Sequence, residues 1–209
     1  MKHILLIENH FIVRLATLLI IRDVLPEVTS WETNNFPDAL HIVSTHRLDL
    51  IFLDINIPDG EGFQMIAKIR RLQPDVTIMV FSDIDEELYA MHYLKAGANG
   101  FLSKNSSTKE IRTAVAAILT NGRYVSEMVQ QLLLYGNTPE MRQSNPLAAL
   151  SQREIEVMDL LLEGKWTKEI ATLLNITGSS VSTYKLRVFE KLGVNTVIEL
   201  YQKVSALRE

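Results

Sequence analysis

Four consecutive apolar residues, Leu50-Ile51-Phe52-Leu53, end on Asp54 and are followed at once by Ile55-Asn56-Ile57-Pro58-Asp59-Gly60. A short run that is apolar at every position and bounded by Pro and Gly reads as a strand buried on both faces, the situation inside a parallel sheet covered by helices. A carboxylate directly after such a strand lies at the carboxyl edge of the sheet, where open α/β sheets build their sites. Three more apolar runs end on polar groups: Ile4-Leu5-Leu6-Ile7 on Glu8, Ile78-Met79-Val80-Phe81 on Ser82, and Gly100-Phe101-Leu102-Ser103 on Lys104. If these strands are parallel neighbours, an acid, a nucleophilic carboxylate, a hydroxyl and an ammonium converge on one edge. That set suits a phosphoryl acceptor.

The rest of the first half supports the sheet. Strand-like runs at 3–8, 27–32, 49–53, 76–81 and 99–102 alternate with amphipathic stretches at 10–24, 36–45, 61–72, 85–96 and 107–120. Strict strand–helix alternation with short connections predicts a doubly wound α/β domain with a five-stranded parallel sheet. A further short helix is expected at 126–134, and the turn-rich, aperiodic stretch from Tyr135 to Pro146 has the composition of a linker.

After Leu150 the periodicity changes. Ser151 and Glu154 have the spacing of a capping box, flanked by Leu150 and Ile155 as a hydrophobic staple. That helix is expected to run through Val157, Leu160 and Leu161 and to stop at Gly164. Helices at Thr167–Leu174, Gly178–Leu192 and 196–206 follow, the first two of these joined by the tight turn Asn175-Ile176-Thr177. Four short helices without a strand fit a small all-α helix-turn-helix domain. The expected organisation is a domain at 1–122, a linker with a short helix at 123–147, and the helical domain at 148–209.

The chain contains no cysteine, which removes disulfides, thiolate metal sites and thiol nucleophiles together and suits a reducing compartment. No apolar stretch reaches the ~18 residues of a membrane span, and the start of the chain leads into a strand rather than a signal peptide, so a cytoplasmic protein without membrane contact is expected. The net charge is −4. Residues 151–209 hold 8 basic and 8 acidic side chains, so the remaining 13 basic and 17 acidic ones place the whole acidic excess in residues 1–150. Global charge therefore gives no nucleic-acid signal, and local pattern must carry one.

Residues 1–120 resemble a response-regulator receiver domain, and residues 148–207 resemble the LuxR-type helix-turn-helix. The second resemblance rests on Leu150-Ser151-Gln152-Arg153-Glu154-Ile155-Glu156-Val157, Lys168-Glu169-Ile170-Ala171 and Lys191-Leu192-Gly193-Val194. Val181-Ser182-Thr183-Tyr184-Lys185 is similar to the recognition helix of the Bvg-type subset. Together they resemble a regulator of the NarL/FixJ class, not an enzyme. The resemblance implies that Asp54 accepts a phosphoryl group by carboxylate attack, giving an acyl phosphate. It also implies that Lys104 pairs with the phosphoryl oxygens, that Ser82 is the switch hydroxyl, and that the Phe101 ring follows it. Mg²⁺ would be held by Glu8, Asn9, Asp54 and the backbone carbonyl of Asn56. A sensor histidine kinase, duplex DNA and a second copy of the chain are the implied partners, with RNA polymerase as a further one. Phosphorylation is expected to shift the surface of the fourth helix, fifth strand and fifth helix; that surface, or the first and fifth helices, would set dimerisation.

Two positions depart from the pattern. Asn9 stands where the family usually has a second acid, so Mg²⁺ binding is expected to be weakened. Asn105 follows Lys104 in place of Pro, so the cis X–Pro bond common there cannot form. Asn9 keeps open an alternative, a pseudo-receiver switched by a partner or ligand without Mg²⁺-dependent phosphorylation. An aspartyl-phosphate hydrolase is disfavoured, because Asp54-Ile55-Asn56-Ile57-Pro58 lacks the second acid of its Asp-x-Asp-x-Thr signature.

On the third helix of the second domain, Val181, Tyr184, Val188 and Leu192 recur at helical spacing and form an expected inward face. Ser182, Thr183, Leu186 and Arg187 then face away, toward the major groove if this is a recognition helix. Lys168, Lys185 and Lys191 are placed to meet phosphates, which position a protein without specifying sequence. Many members of the resembled family carry lysine or arginine at the positions of Ser182 and Leu186, and Glu190 adds a negative charge; a solvated polar face is the alternative reading. Leu200, Tyr201 and Val204 are candidates for a contact between two such modules. His3, His10, His41, His46 and His92 lack metal-ligand spacing and read as surface or capping residues.

Overall fold

The structure, a computed structural model, describes residues 1–60, 62–135 and 146–207. Two compact units divide the chain, Met1–Gln130 and Gln131–Glu209. Among the described residues no helix is long and apolar enough to cross a membrane. The expected linker core, residues 136–145, lies outside the described residues, as does Glu61 at the expected start of the third helix.

The first unit alternates β1 (Lys2–Ile7), α1 (Phe11–Val24), β2 (Val28–Thr33), α2 (Phe36–Thr45), β3 (Leu50–Leu53), α3 (Phe63–Leu72), β4 (Thr77–Ser82), α4 (Glu86–Lys95), β5 (Gly100–Ser103) and α5 (Thr108–Asn121). The sheet has five strands in the order β2-β1-β3-β4-β5, and every pairing is parallel. All four residues of β3 are buried, as are Ile4 to Ile7 of β1 and Ile78 to Ser82 of β4. That is why these runs read as continuously apolar rather than alternating. One side of the sheet buries Ile4, Leu6, Phe52, Met79, Phe81 and Leu102 against Leu18 and Ile21 of α1 and Ala114, Val115 and Ile118 of α5.

The helices are capped by their own sequence. Asn35 accepts the Asp38 N–H at 2.9 Å and opens α2; Asp85 accepts the Leu88 N–H at 3.0 Å and opens α4; Ser107 accepts the Glu110 N–H at 3.2 Å and opens α5. The first unit continues beyond residue 122, because the chain after α5 returns to the sheet: the Tyr124 N–H donates to Asn99 O at 3.2 Å beside Gly100. A Cβ at Gly100 would lie 2.6 Å from the Tyr124 carbonyl oxygen, so this crossing requires glycine. Helix α6 (Glu127–Tyr135) then starts in the first unit and ends in the second.

The second unit contains a 3₁₀ turn at Pro146–Ala149 and helices α7 (Gln152–Leu162), α8 (Thr167–Leu173), α9 (Gly178–Leu192) and α10 (Val197–Leu207). The capping box is present: the Glu154 N–H donates to Ser151 Oγ, and the Ser151 N–H donates to Glu154 Oε2 at 2.7 Å. The staple residues Leu150 and Ile155 are both buried. Gly193 ends α9 with φ +62°, the left-handed turn that glycine closes without strain. Val181, Val188 and Leu192 of α9 pack inward with Ile155, Met158, Ile170 and Leu174, while Tyr184 is half-buried.

Candidate phospho-acceptor site and nucleic-acid interface

Strand register assembles the first site. Ile7 pairs with Leu53, so the next residues, Glu8 and Asp54, leave the sheet side by side; the Asp54 N–H donates to Ile7 O at 2.9 Å. Ser82 pairs with Ser103, and the Lys104 N–H donates to Ser82 O at 2.8 Å, which aims the lysine back across the edge. Lys104 Nζ reaches Asp54 Oδ2 at 2.8 Å and Glu8 Oε2 at 2.6 Å. Three of the four residues read from strand ends thus meet in ion pairs. The fourth, Ser82, is fully buried at the end of the neighbouring strand. Its hydroxyl faces the Ile84 N–H at a long 3.5 Å.

The electrostatics follow from burial. Glu8 and Asp54 are 4% and 1% exposed. Burial pushes the Asp54 carboxyl above its usual range, against the pull of Lys104. Burial also disfavours the charged form of Lys104, but the two carboxylates outweigh it and raise its pKa. Among the described residues no other donor reaches Asp54 Oδ2 or Glu8 Oε2. The other Asp54 oxygen accepts the Asn56 N–H at 3.1 Å, and the Asn56 side chain donates to Asp83 Oδ1 at 2.8 Å.

Asn9 Oδ1 is buried without a hydrogen-bond partner. Two buried carboxylates, with an orphaned amide oxygen on the residue that follows Glu8 in the chain, are the hard oxygen donors that a divalent cation accepts, so these residues fit Mg²⁺. His10 is exposed at the N-cap of α1, in line with its reading as a surface or capping residue, and it also borders the acidic site. His10 Nδ1 lies 3.0 Å from Glu8 Oε1, its backbone N–H donates to the same oxygen at 2.8 Å, and Glu8, His10 and Asp54 present ligand atoms within 4.8 Å of one another. The available signal was adjacency, since His10 follows a strand-end acid by two residues. Phe101 is fully buried, with its ring centroid 6.1 Å from that of Tyr93 on α4.

On α9, Ser182, Thr183, Leu186 and Arg187 are all exposed, on the side opposite the buried Val181, Val188 and Leu192. Lys168 is exposed at the start of α8, and Lys185 stands 5.3 Å over the Phe189 ring, a cation–π contact. Lys191 is engaged differently, because its ammonium meets the buried Glu154 carboxylate at 2.7 Å. Leu200 and Val204 are buried within their own module, which withdraws them from any surface between modules. Tyr201 is 59% exposed on α10, and Ile198, which sequence reasoning did not select, is 72% exposed.

Comparison with known proteins agrees with both units. The response regulator receiver domain family matches residues 4–116, and the LuxR family of bacterial regulatory proteins matches residues 148–204. The chain is 30% identical over 201 residues to the response regulator UvrY of Escherichia coli (strain K12), covering 96% of this chain and 92% of that protein. It is 30% identical over 197 residues to the virulence-factor transcription regulator BvgA of Bordetella pertussis, covering 94% and 93% of the two chains. A solved structure of RcsB from Salmonella enterica serovar Typhimurium, bound to promoter rprA with the phosphomimetic BeF₃⁻, shares the fold: TM-score 0.81, 22% identity, 98% of each chain covered.

Proposed function

Since this chain belongs to the NarL/FixJ-class response regulators, two-component transcription regulators that join a receiver domain to a LuxR-family DNA-binding domain, we propose that a sensor histidine kinase phosphorylates it on Asp54. This is a family of DNA-binding regulators rather than enzymes. The observation that carries the reading is the buried Asp54 carboxylate at the carboxyl edge of the central strand, with the Lys104 ammonium 2.8 Å away.

An Asp54 oxygen forms the bond to phosphorus as the phosphorus–nitrogen bond of a phosphohistidine breaks, and the departing imidazole takes up a proton. Mg²⁺, held by Glu8, Asn9, Asp54 and the Asn56 carbonyl, would supply charge neutralisation on the phosphoryl oxygens. Lys104 can turn from its carboxylate partners to a phosphoryl oxygen. Ser82 would follow the new group, and Phe101 would carry the change to α4 through Tyr93, a local charge event biasing a two-state surface.

The phosphorylated chain then pairs with a second copy and binds duplex DNA through α9, with Lys168 and Lys185 on phosphates and Ser182, Thr183, Leu186 and Arg187 in the groove. Lys191 would join them by exchanging Glu154 for phosphate. Of the two candidate dimerisation faces, α1 is favoured because Phe11, Ile12, Leu15 and Leu19 expose an apolar stripe along it. Such a regulator works in the cytoplasm and meets RNA polymerase at its promoter.

The test is labelling with acetyl phosphate and Mg²⁺, read on a phosphoprotein gel beside Asp54→Asn. Asn9 favours a second reading, a receiver switched by a bound partner without phosphate. Absence of label at any Mg²⁺ concentration, with a folded protein, would select that alternative.

A further inference from the structure

The face of α9 that points away from its module is short of hydrogen-bond donors. Ser182 Oγ donates to Gly178 O at 3.1 Å, and Thr183 Oγ1 donates to Ser179 O at 3.0 Å. Both hydroxyl protons are already engaged, so toward DNA these oxygens can only accept. Between them and the next turn stands Leu186, 58% exposed and the only exposed large apolar side chain of α9 among the described residues. Positions 182 and 186, and 183 and 186, are neighbours on a helix surface, so the leucine lies directly beside the two hydroxyls. It contributes little to the packing of its own module, whose side of α9 is filled by Val181, Val188 and Leu192. Among the described residues Arg187 is the one cation on this face, since Lys185 lies over Phe189 and Lys191 is paired with Glu154.

Base edges in the major groove present acceptors, amino donors and a single apolar group, the C5-methyl of thymine. We infer that Leu186 reads thymine by packing on that methyl group, and that it is a specificity-determining residue of this helix. Arg187 supplies the fork of donors for a neighbouring guanine, and Ser182 and Thr183 accept from the amino groups of adenine or cytosine. The inference rests on the reading that α9 enters the major groove, and it adds which chemical feature is recognised there.

Deoxyuridine differs from thymidine only by the missing methyl group, so it isolates this contact. The full chain, treated with acetyl phosphate and Mg²⁺, is used to select duplexes from a randomised pool. Each thymine of the tightest duplex is then replaced singly by deoxyuridine. At one or more positions the replacement is expected to weaken binding about fourfold, the size of one methyl group withdrawn from water. Leu186→Ala should bind the thymine duplex more weakly by at least that factor and be indifferent to the replacement, while Leu186→Met, which keeps an apolar contact, retains the sensitivity. The salt dependence, set by phosphate contacts, should be the same for all three proteins. Binding without any deoxyuridine effect, or an equal effect in Leu186→Ala, overturns the inference alone and leaves Leu186 as a protein-contact residue. Failure to select any duplex overturns the DNA-binding reading and this inference together.

Discussion

In the first unit Asp54 and Glu8 share the Lys104 ammonium, at 2.8 and 2.6 Å; in the second, Glu154 meets Lys191 at 2.7 Å. The three carboxylates are 1%, 4% and 2% exposed, so surface exposure alone does not separate them, although Asp54 lies deeper in its unit than Glu154 does. Their partners do. Glu154 Oε2 also accepts the Ser151 N–H at 2.7 Å, and the Lys191 side chain is 39% exposed, so that pair is hydrogen-bonded inside and hydrated outside. Among the described residues Asp54 Oδ2 and Glu8 Oε2 have Lys104 alone, and its side chain is 11% exposed. Burial accordingly lifts Asp54, whereas for Glu154 the push of burial is overcome by Lys191 and Ser151, which hold it low. A satisfied buried ion pair fixes a structure. One that leaves oxygens short of donors keeps a place for an incoming cation or phosphoryl group.

The largest effect that can break this contrast is Asp54→Asn. It should remove all acetyl-phosphate label while leaving the melting temperature equal or higher, since a buried charge short of donors is withdrawn. Undiminished label on another residue would sink the assignment; a melting temperature several degrees lower would mean that the Asp54–Lys104 pair is as structural as Glu154–Lys191.

Next in size is Asn9→Asp, which makes the first site more acidic still. Mg²⁺ prefers charged oxygen ligands, so a third carboxylate should tighten its binding tenfold or more, about 1.4 kcal/mol per decade. Its repulsion of Glu8 and Asp54 should lower the stability of the metal-free protein. Mg²⁺ titration and melting temperature on both proteins check the pair of effects. Unchanged Mg²⁺ affinity would place Asn9 outside the ion's ligand shell despite its orphaned oxygen.

How much of this contrast the sequence shows depends on the range over which each contact acts. A strand buried on both faces is apolar at every position, so β1, β3 and β4 and their terminal polar groups are legible, and with them Glu8, Asp54 and Ser82. The capping box is legible because Ser151 and Glu154 are three residues apart. Lys191 reads as a phosphate contact because nothing local reveals that Glu154, 37 residues earlier, lies opposite it. Leu200 and Val204 misled for a related reason: an apolar helical stripe looks the same whether it packs on its own module or on a partner. His10 was legible only in part, since its neighbour Glu8 is adjacent but Asp54 arrives through the β1–β3 register.

A smaller effect is expected at Glu154→Gln. The mutation weakens both the cap and the ion pair, and it should lower the stability of the second unit by about 1 kcal/mol, the usual magnitude of a lost helix cap. Amide exchange along α7 reads that unit specifically. No loss of protection would show that the pair with Lys191 is incidental, and the contrast with Lys104 would lose one of its sides.

The smallest effect is one of sign. Glu154 and Glu156 are two residues apart on α7 and both buried, yet their shifts oppose. Lys191 and Ser151 overcome burial to hold Glu154 low, whereas burial lifts Glu156 even though Arg153 reaches it at 2.7 Å. A carboxyl whose folded pKa is lowered contributes stability above the usual glutamate value of 4.5, and that stability is lost as pH falls through the lower folded value. A carboxyl whose folded pKa is raised does the reverse: its contribution is complete below 4.5 and is lost as pH rises through the higher folded value. Relative to the unaltered chain, Glu154→Gln should therefore be most destabilising at neutral pH, with the difference shrinking as pH falls below 4.5. Glu156→Gln should gain relative stability as pH rises above 4.5. Amide exchange on α7 across the acid range would record these two differences with opposite slopes. Parallel slopes would mean that the hydrogen-bonded partners of Glu154 do not set its charge, and that burial governs both glutamates alike.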